Sequence, residues 1–143
     1  MARILIVDDS ITYRQLMKEA IEGGGHTVVG EGKDGVQGIE LYKELKPDIT
    51  TMDITMPNLD GLAALKFIME YDPSATVIMV SSTAQSKKLA EAASLGAVDF
   101  LVKPFESEKV LDIIDRLEAA FSEDNADAEL DLDELDFLNL DDF

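Results

Sequence analysis

Five positions that carry reactive groups close short apolar runs in this chain. Asp8 and Asp9 follow Ile4 to Val7, Asp53 follows Ile49 to Met52, Ser81 follows Val77 to Val80, and Lys103, with Pro104 behind it, follows Phe100 to Val102. Each run has the length and β-rich composition of a buried strand. Where such strands lie parallel in one sheet, their carboxyl ends converge, and that edge is where ligands bind. Three carboxylates brought within ~4 Å repel by ~4 kcal/mol per pair at an effective dielectric of roughly 20, so the cluster needs a counter-ion. A hard divalent cation meets that need. Mg²⁺ suits it better than Ca²⁺, because one or two carboxylates with several retained waters fill its small octahedral shell.

The same groups suit phosphoryl chemistry. A carboxylate attacking phosphorus needs an open line of approach and neutralisation of the three equatorial oxygens. The cation screens one oxygen, the Lys103 ammonium a second, and the Ser81 hydroxyl can donate a hydrogen bond to the third. No general base accompanies them. His26 is the sole imidazole; it stands at the amino end of the second apolar run, away from the cluster, and reads as a plain surface residue. A phosphodonor histidine therefore belongs to another protein. Taken singly, the residues have plainer readings: Asp8 or Asp9 as a helix cap, Ser81 as a turn residue, Lys103 as a solvated charge, and Phe100 as a fixed core residue. Their joint spacing favours the chemical one.

Segments with apolar residues at helical spacing must carry the chain between these ends. Leu16, Met17, Ala20 and Ile21 mark the first, and Val36, Ile39, Tyr42 and Leu45 the second. Leu62, Leu65, Ile68 and Met69 mark the third; Leu89, Ala92, Ala93 and Leu95, stopped at Gly96, the fourth. Val110, Leu111, Ile114, Leu117 and Phe121 form the fifth, after an acidic first turn at Glu106 and Glu108 that complements the helix dipole. With Thr27 to Gly30 as the remaining run, strict alternation predicts an α/β fold: a doubly wound, five-stranded parallel sheet covered on both faces by five helices.

At 143 residues, the chain holds one ordinary core. Its 30 acidic and 12 basic residues give a formal charge of −18, which repels duplex nucleic acid and anionic membrane. Basic or amphipathic protein surfaces are better partners. The absence of cysteine excludes disulfides and thiolate metal sites. No run approaches the ~20 apolar residues of a membrane span, and the start lacks a secretory apolar region, so a cytoplasmic protein is expected.

Composition changes after Phe121. Residues 1–121 form the expected domain, whereas 122–143 hold ten acidic residues and no basic one. The closing stretch ELDLDELDFLNLDDF alternates Leu130, Leu132, Leu135, Phe137, Leu138, Leu140 and Phe143 with carboxylates. It lacks the glycine that an EF-hand loop requires. Such alternation marks an acidic amphipathic tail that is disordered alone and folds on a partner, in cis or in trans; the plainer reading is a solvated tether.

The strings ILIVDDS, PDITTMDITMPNLDG, VIMVSS and GAVDFLVKPF resemble the receiver domain of two-component response regulators, especially the single-domain chemotaxis (CheY-like) type. The likeness covers roughly residues 2 to 121. It implies strand order 2-1-3-4-5. It implies that Asp53 is the phosphoacceptor, that Asp8 and Asp9 hold Mg²⁺ with Asp9 the more direct ligand, and that the main-chain carbonyl of Thr55 completes the protein ligands. Ser81 becomes the switch hydroxyl, Lys103 the phosphate-pairing cation, and Phe100 the aromatic that moves inward. Lys103 and Pro104 are expected to meet through a cis bond. Phe100 departs from the tyrosine common in chemotaxis members and lacks its hydroxyl. The tail is loosely similar to acidic helical peptides that engage receivers.

The resemblance implies a monomeric, stand-alone messenger phosphorylated by a sensor histidine kinase, acting on a flagellar or motility switch component and open to a phosphatase. A phosphorelay intermediate, passing the phosphoryl group to a histidine phosphotransfer protein, is the alternative. An independent phosphatase is disfavoured, because no second acid for turnover accompanies Asp53.

Overall fold

The computed structural model describes residues 1–82 and 86–121. The expected tail at 122–143 lies outside the described residues. The elements run β1 (Arg3–Val7), α1 (Ile11–Gly23), β2 (Thr27–Gly32), α2 (Gly35–Leu45), β3 (Ile49–Asp53), α3 (Gly61–Tyr71), β4 (Val77–Ser81), α4 (Ser86–Leu95) and β5 (Asp99–Val102). A fifth helix, α5, covers residues 107–121. The strands pair in parallel in the order β2-β1-β3-β4-β5. The expected doubly wound α/β sheet is present, strand order included.

Alternation along each strand sorts the core into two layers. Ile4 and Ile6 of β1, Ile49 of β3, and Ile78 and Val80 of β4 meet Met17 and Ile21 of α1 and Val110 and Ile114 of α5 on one face. Leu5, Val7, Met52, Val77 and Met79 point the other way, toward α2, α3 and α4. Because both faces are covered, the strands read as continuous apolar runs instead of alternating ones. Full burial of each such side chain is worth ~1.5–3 kcal/mol.

The first three helices start on side-chain caps. Ser10, Asp34 and Asp60 accept hydrogen bonds from the amides of Tyr13, Gln37 and Ala63, which satisfies donors the helices leave unpaired. Gly61, the first residue of α3, packs so closely on β3 that a Cβ there would lie 1.9 Å from the Asp53 carbonyl oxygen. Its amide donates to Ile54 O at 2.7 Å. Only glycine fits that approach.

Three expectations change. β2 runs to Gly32, past the expected Gly30, because its pairing with β1 continues through a register shift between Ile4 and Leu5. Leu16 and Val36 share helical spacing with core residues yet face solvent, the apolar stripe being wider than the face the sheet covers. His26 is no surface residue, at 6% exposure. Its Nδ1 accepts from the Ala2 amide at 3.0 Å, so Nε2 carries the proton and donates to Asp115 Oδ1 of α5 at 2.8 Å.

Candidate functional site

Four elements deliver the site. Asp8 and Asp9 lie in the β1–α1 turn, Asp53 closes β3, Ser81 closes β4, and Lys103 follows β5. Sheet register sets their heights: Asp53 pairs with Val80 and Ser81 with Val102. The amide of Lys103 donates to the Ser81 carbonyl at 2.7 Å, and that of Ile54 to Val80 O at 2.9 Å. The Lys103–Pro104 bond is cis, as expected.

Carboxylate oxygens of Asp8, Asp9 and Asp53 all lie within 4.8 Å of one another. Lys103 reaches into this group with its side chain 7% exposed, placing Nζ 2.8 Å from Asp8 Oδ2 and 3.4 Å from Asp53 Oδ2. The other oxygen of Asp8 accepts from the Ser10 amide at 2.8 Å. Asp9, by contrast, is exposed. One ammonium against three carboxylates leaves the cluster negative. Burial and the Asp8 charge push the Asp53 carboxyl up to about 6, while Lys103 pulls it the other way.

A small all-oxygen donor set with an exposed member and excess negative charge fits Mg²⁺. The loop that carries Thr55 is anchored at its far end. Asn58 donates to Asp34 Oδ2 at 2.8 Å, and the Gly35 amide to Leu59 O at 3.0 Å. The amide of Gln37 and the side chain of Asn58 hold the Asp34 carboxyl below its usual range.

Ser81 is buried at the end of β4. Phe100 is drawn outward on β5, at 45% exposure, with Val98 and Val102 similarly open. It is not a core residue in this state.

Two neighbours escaped sequence reasoning. Arg14 is buried beneath the cluster, where Nη1 donates to the Asp8 carbonyl at 2.7 Å and Nε faces Glu31 at 3.5 Å. Tyr13 places its ring under the Lys103 ammonium, 4.3 Å from the ring centroid. Both lie in the first turn of the helix that follows Asp9, the one available sequence signal.

A buried carboxylate at a strand end, faced by two more carboxylates and a lysine on a five-stranded parallel sheet, is the arrangement expected of a receiver site. The chain belongs to the response regulator receiver domain family, whose model matches residues 4–115. It is 46% identical to the protein CcdB of Bacillus subtilis over 117 residues, 82% of this chain and 98% of that one. It is 45% identical over 115 residues to the chemotaxis protein CheY of Thermotoga maritima, 80% of this chain and 96% of that one. In the crystal structure of the CheX–CheY–BeF3–Mg²⁺ complex from Borrelia burgdorferi, the matched chain superposes with a TM-score of 0.76 at 33% identity, covering 83% of this chain and 88% of that one. These relationships make it a chemotaxis-type response regulator receiver, a signalling domain of two-component systems. No helix among the described residues is long and apolar enough to cross a membrane.

Proposed function

We propose that Asp53 accepts a phosphoryl group from a histidine of a sensor kinase and that the modified surface is itself the signal. The observation that carries this reading is the ion-paired cluster: a buried carboxylate pushed up to about 6, with Lys103 3.4 Å away and two further carboxylates beside it. Above that pH, Asp53 presents an ionised oxygen. The new O–P bond forms as the N–P bond of the donor breaks, and the imidazole leaves with a proton from solvent.

Asp9, exposed and beside the cluster, is the more available Mg²⁺ ligand, with Asp8, Asp53 and the Thr55 carbonyl completing the protein set. The cation supplies positive charge against the phosphoryl oxygens. Lys103 pairs with another of those oxygens by giving up its contact with Asp8. Ser81 and Phe100 form the switch: the buried hydroxyl moves toward the new charge, and the outward ring moves in after it. Phosphorylation biases this equilibrium through contacts made in one state only.

The output surface is the open strip formed by Val98, just before edge strand β5, and by Phe100 and Val102 on it, which suits an amphipathic segment of a motility switch component or a phosphatase; the CheX–CheY complex named above supports a protein partner for a receiver of this kind. The acidic tail is a competitor for this strip. Deleting residues 123–143 should then raise partner affinity, and unchanged affinity in both phosphorylation states would leave the tail a tether.

Intact mass of wild type and Asp53→Asn after treatment with acetyl phosphate and Mg²⁺ tests the central reading. A labile phosphate adduct confined to wild type is expected; no adduct, or one that persists in the variant, refutes Asp53 as the acceptor.

A further inference from the structure

We propose that Tyr13 is a positioning residue for Lys103, its ring face holding the ammonium at the carboxylate cluster and so setting how fast Asp53 is phosphorylated. This inference rests on the reading of Asp53 and Lys103 given above.

A lysine ammonium is a strongly hydrated point charge on a flexible stem, and burial strips that hydration without fixing where the charge goes. Asp8 and Asp53 occupy one side of Nζ. The Tyr13 ring takes another, with Nζ 4.3 Å from its centroid, the geometry in which the ring's electron-rich face attracts a cation.

The ring is held from two directions. The Tyr13 amide donates to the Ser10 cap at 3.2 Å, which fixes the residue in the first turn of α1. Its ring leans on Phe105, with centroids 5.6 Å apart and planes at 54°. Phe105 itself packs against the α1–α5 core layer. An aromatic clamp thus spans the turn that carries Asp8 and Asp9 and the segment that carries Lys103.

A neutral ring does what a carboxylate there would not. It attracts the ammonium without adding negative charge to a cluster that already has an excess. It also keeps its hold while Lys103 exchanges Asp8 for a phosphoryl oxygen, so the charge does not swing into solvent between partners. An aliphatic side chain of similar bulk gives packing alone.

The test compares initial rates of phosphorylation by acetyl phosphate, at saturating Mg²⁺, for full-length wild type, Tyr13→Leu and Tyr13→Phe, each also made with Lys103→Ala. Tyr13→Leu should be slower by about 3- to 10-fold and Tyr13→Phe should stay within about twofold, as expected for losing or keeping a partly desolvated cation–ring contact. In the Lys103→Ala background, Tyr13→Leu should cause no further loss. The upfield ring-current shift of the Lys103 Hε protons should vanish in Tyr13→Leu and persist in Tyr13→Phe. A wild-type rate for Tyr13→Leu, or an equal slowing with and without Lys103, overturns the proposal and leaves Tyr13 a packing residue. If Lys103→Ala itself leaves the rate unchanged, the role given to Lys103 falls first. If wild type takes no phosphoryl group, the Asp53 reading falls, while the ring-current comparison still decides whether the ring holds the ammonium.

Discussion

Lys103 sits nearer to Asp8 than to Asp53, at 2.8 Å against 3.4 Å, so the lysine closes the cluster from the side of the first strand. Removing it leaves the carboxylates facing one another without the ammonium that pairs with two of them. Lys103→Ala should keep the fold and lose about 2 kcal/mol of stability without metal, an effect that Mg²⁺ partly restores. Labelling at Asp53 should slow without vanishing, and phosphorylation-dependent NMR shifts at Phe100 should disappear. Unaltered shifts at Phe100 would separate the lysine from the switch.

Asp53 should impose a pH slope on the metal-free protein. Its carboxyl is pushed from 3.8 up to about 6, so between those values the folded state holds more protons than the unfolded chain. Stability from this group is fully present below the unfolded value and is lost as pH rises through 6. Asp53→Asn removes the slope. Thermal melts in EDTA should show the variant's advantage growing from pH 5 to pH 7.5; an advantage that shrinks over that range contradicts the assignment.

Asp9 is exposed, whereas both Asp8 oxygens already have partners. Asp9→Asn should therefore weaken Mg²⁺ affinity by tenfold or more, on the order of the effect of losing a ligand carboxylate from a small oxygen site. Relief of like-charge repulsion should leave the metal-free variant at least as stable as wild type. Isothermal titration paired with melting curves checks both, and a clear loss of metal-free stability would count against the crowded-carboxylate account.

His26→Ala removes an acceptor for the Ala2 amide and a donor to Asp115 in one step. A loss of about 2–3 kcal/mol is expected from the unpaired buried amide and the cavity together, measured by urea unfolding. Phosphorylation of Asp53 should proceed at the wild-type rate, since the imidazole lies at the amino ends of the strands and the acceptor at the carboxyl ends.

The fold was legible because a parallel sheet buried on both faces writes its strands as short apolar runs and its helices at a different period. Asp8, Asp9, Asp53, Ser81 and Lys103 were legible as a group for the same reason: parallel strands deliver their ends to one edge, so sequence position already encodes proximity. Other features depend on side chains meeting across elements, which periodicity does not reveal. His26 finds Asp115 at a separation of 89 residues, and Tyr13 finds Lys103 only after α1 and the segment beyond β5 have docked. Leu16 and Val36 show the opposite error, in which a residue has the right spacing but the sheet is too narrow to cover it.

The tight seat of Gly61 on the Asp53 carbonyl gives the acceptor strand a one-way character. β3 is flanked by strands on both edges, and the first residue of α3 is wedged against its end, so the backbone there has nowhere to yield. If Asp53 is the acceptor proposed above, charge added to it arrives at a fixed mount, and the displacement is left to the ends of β4 and β5. On that proposal the molecule is a lever with a bolted fulcrum: the rigidity that makes Asp53 a poor mover would direct the motion toward Phe100.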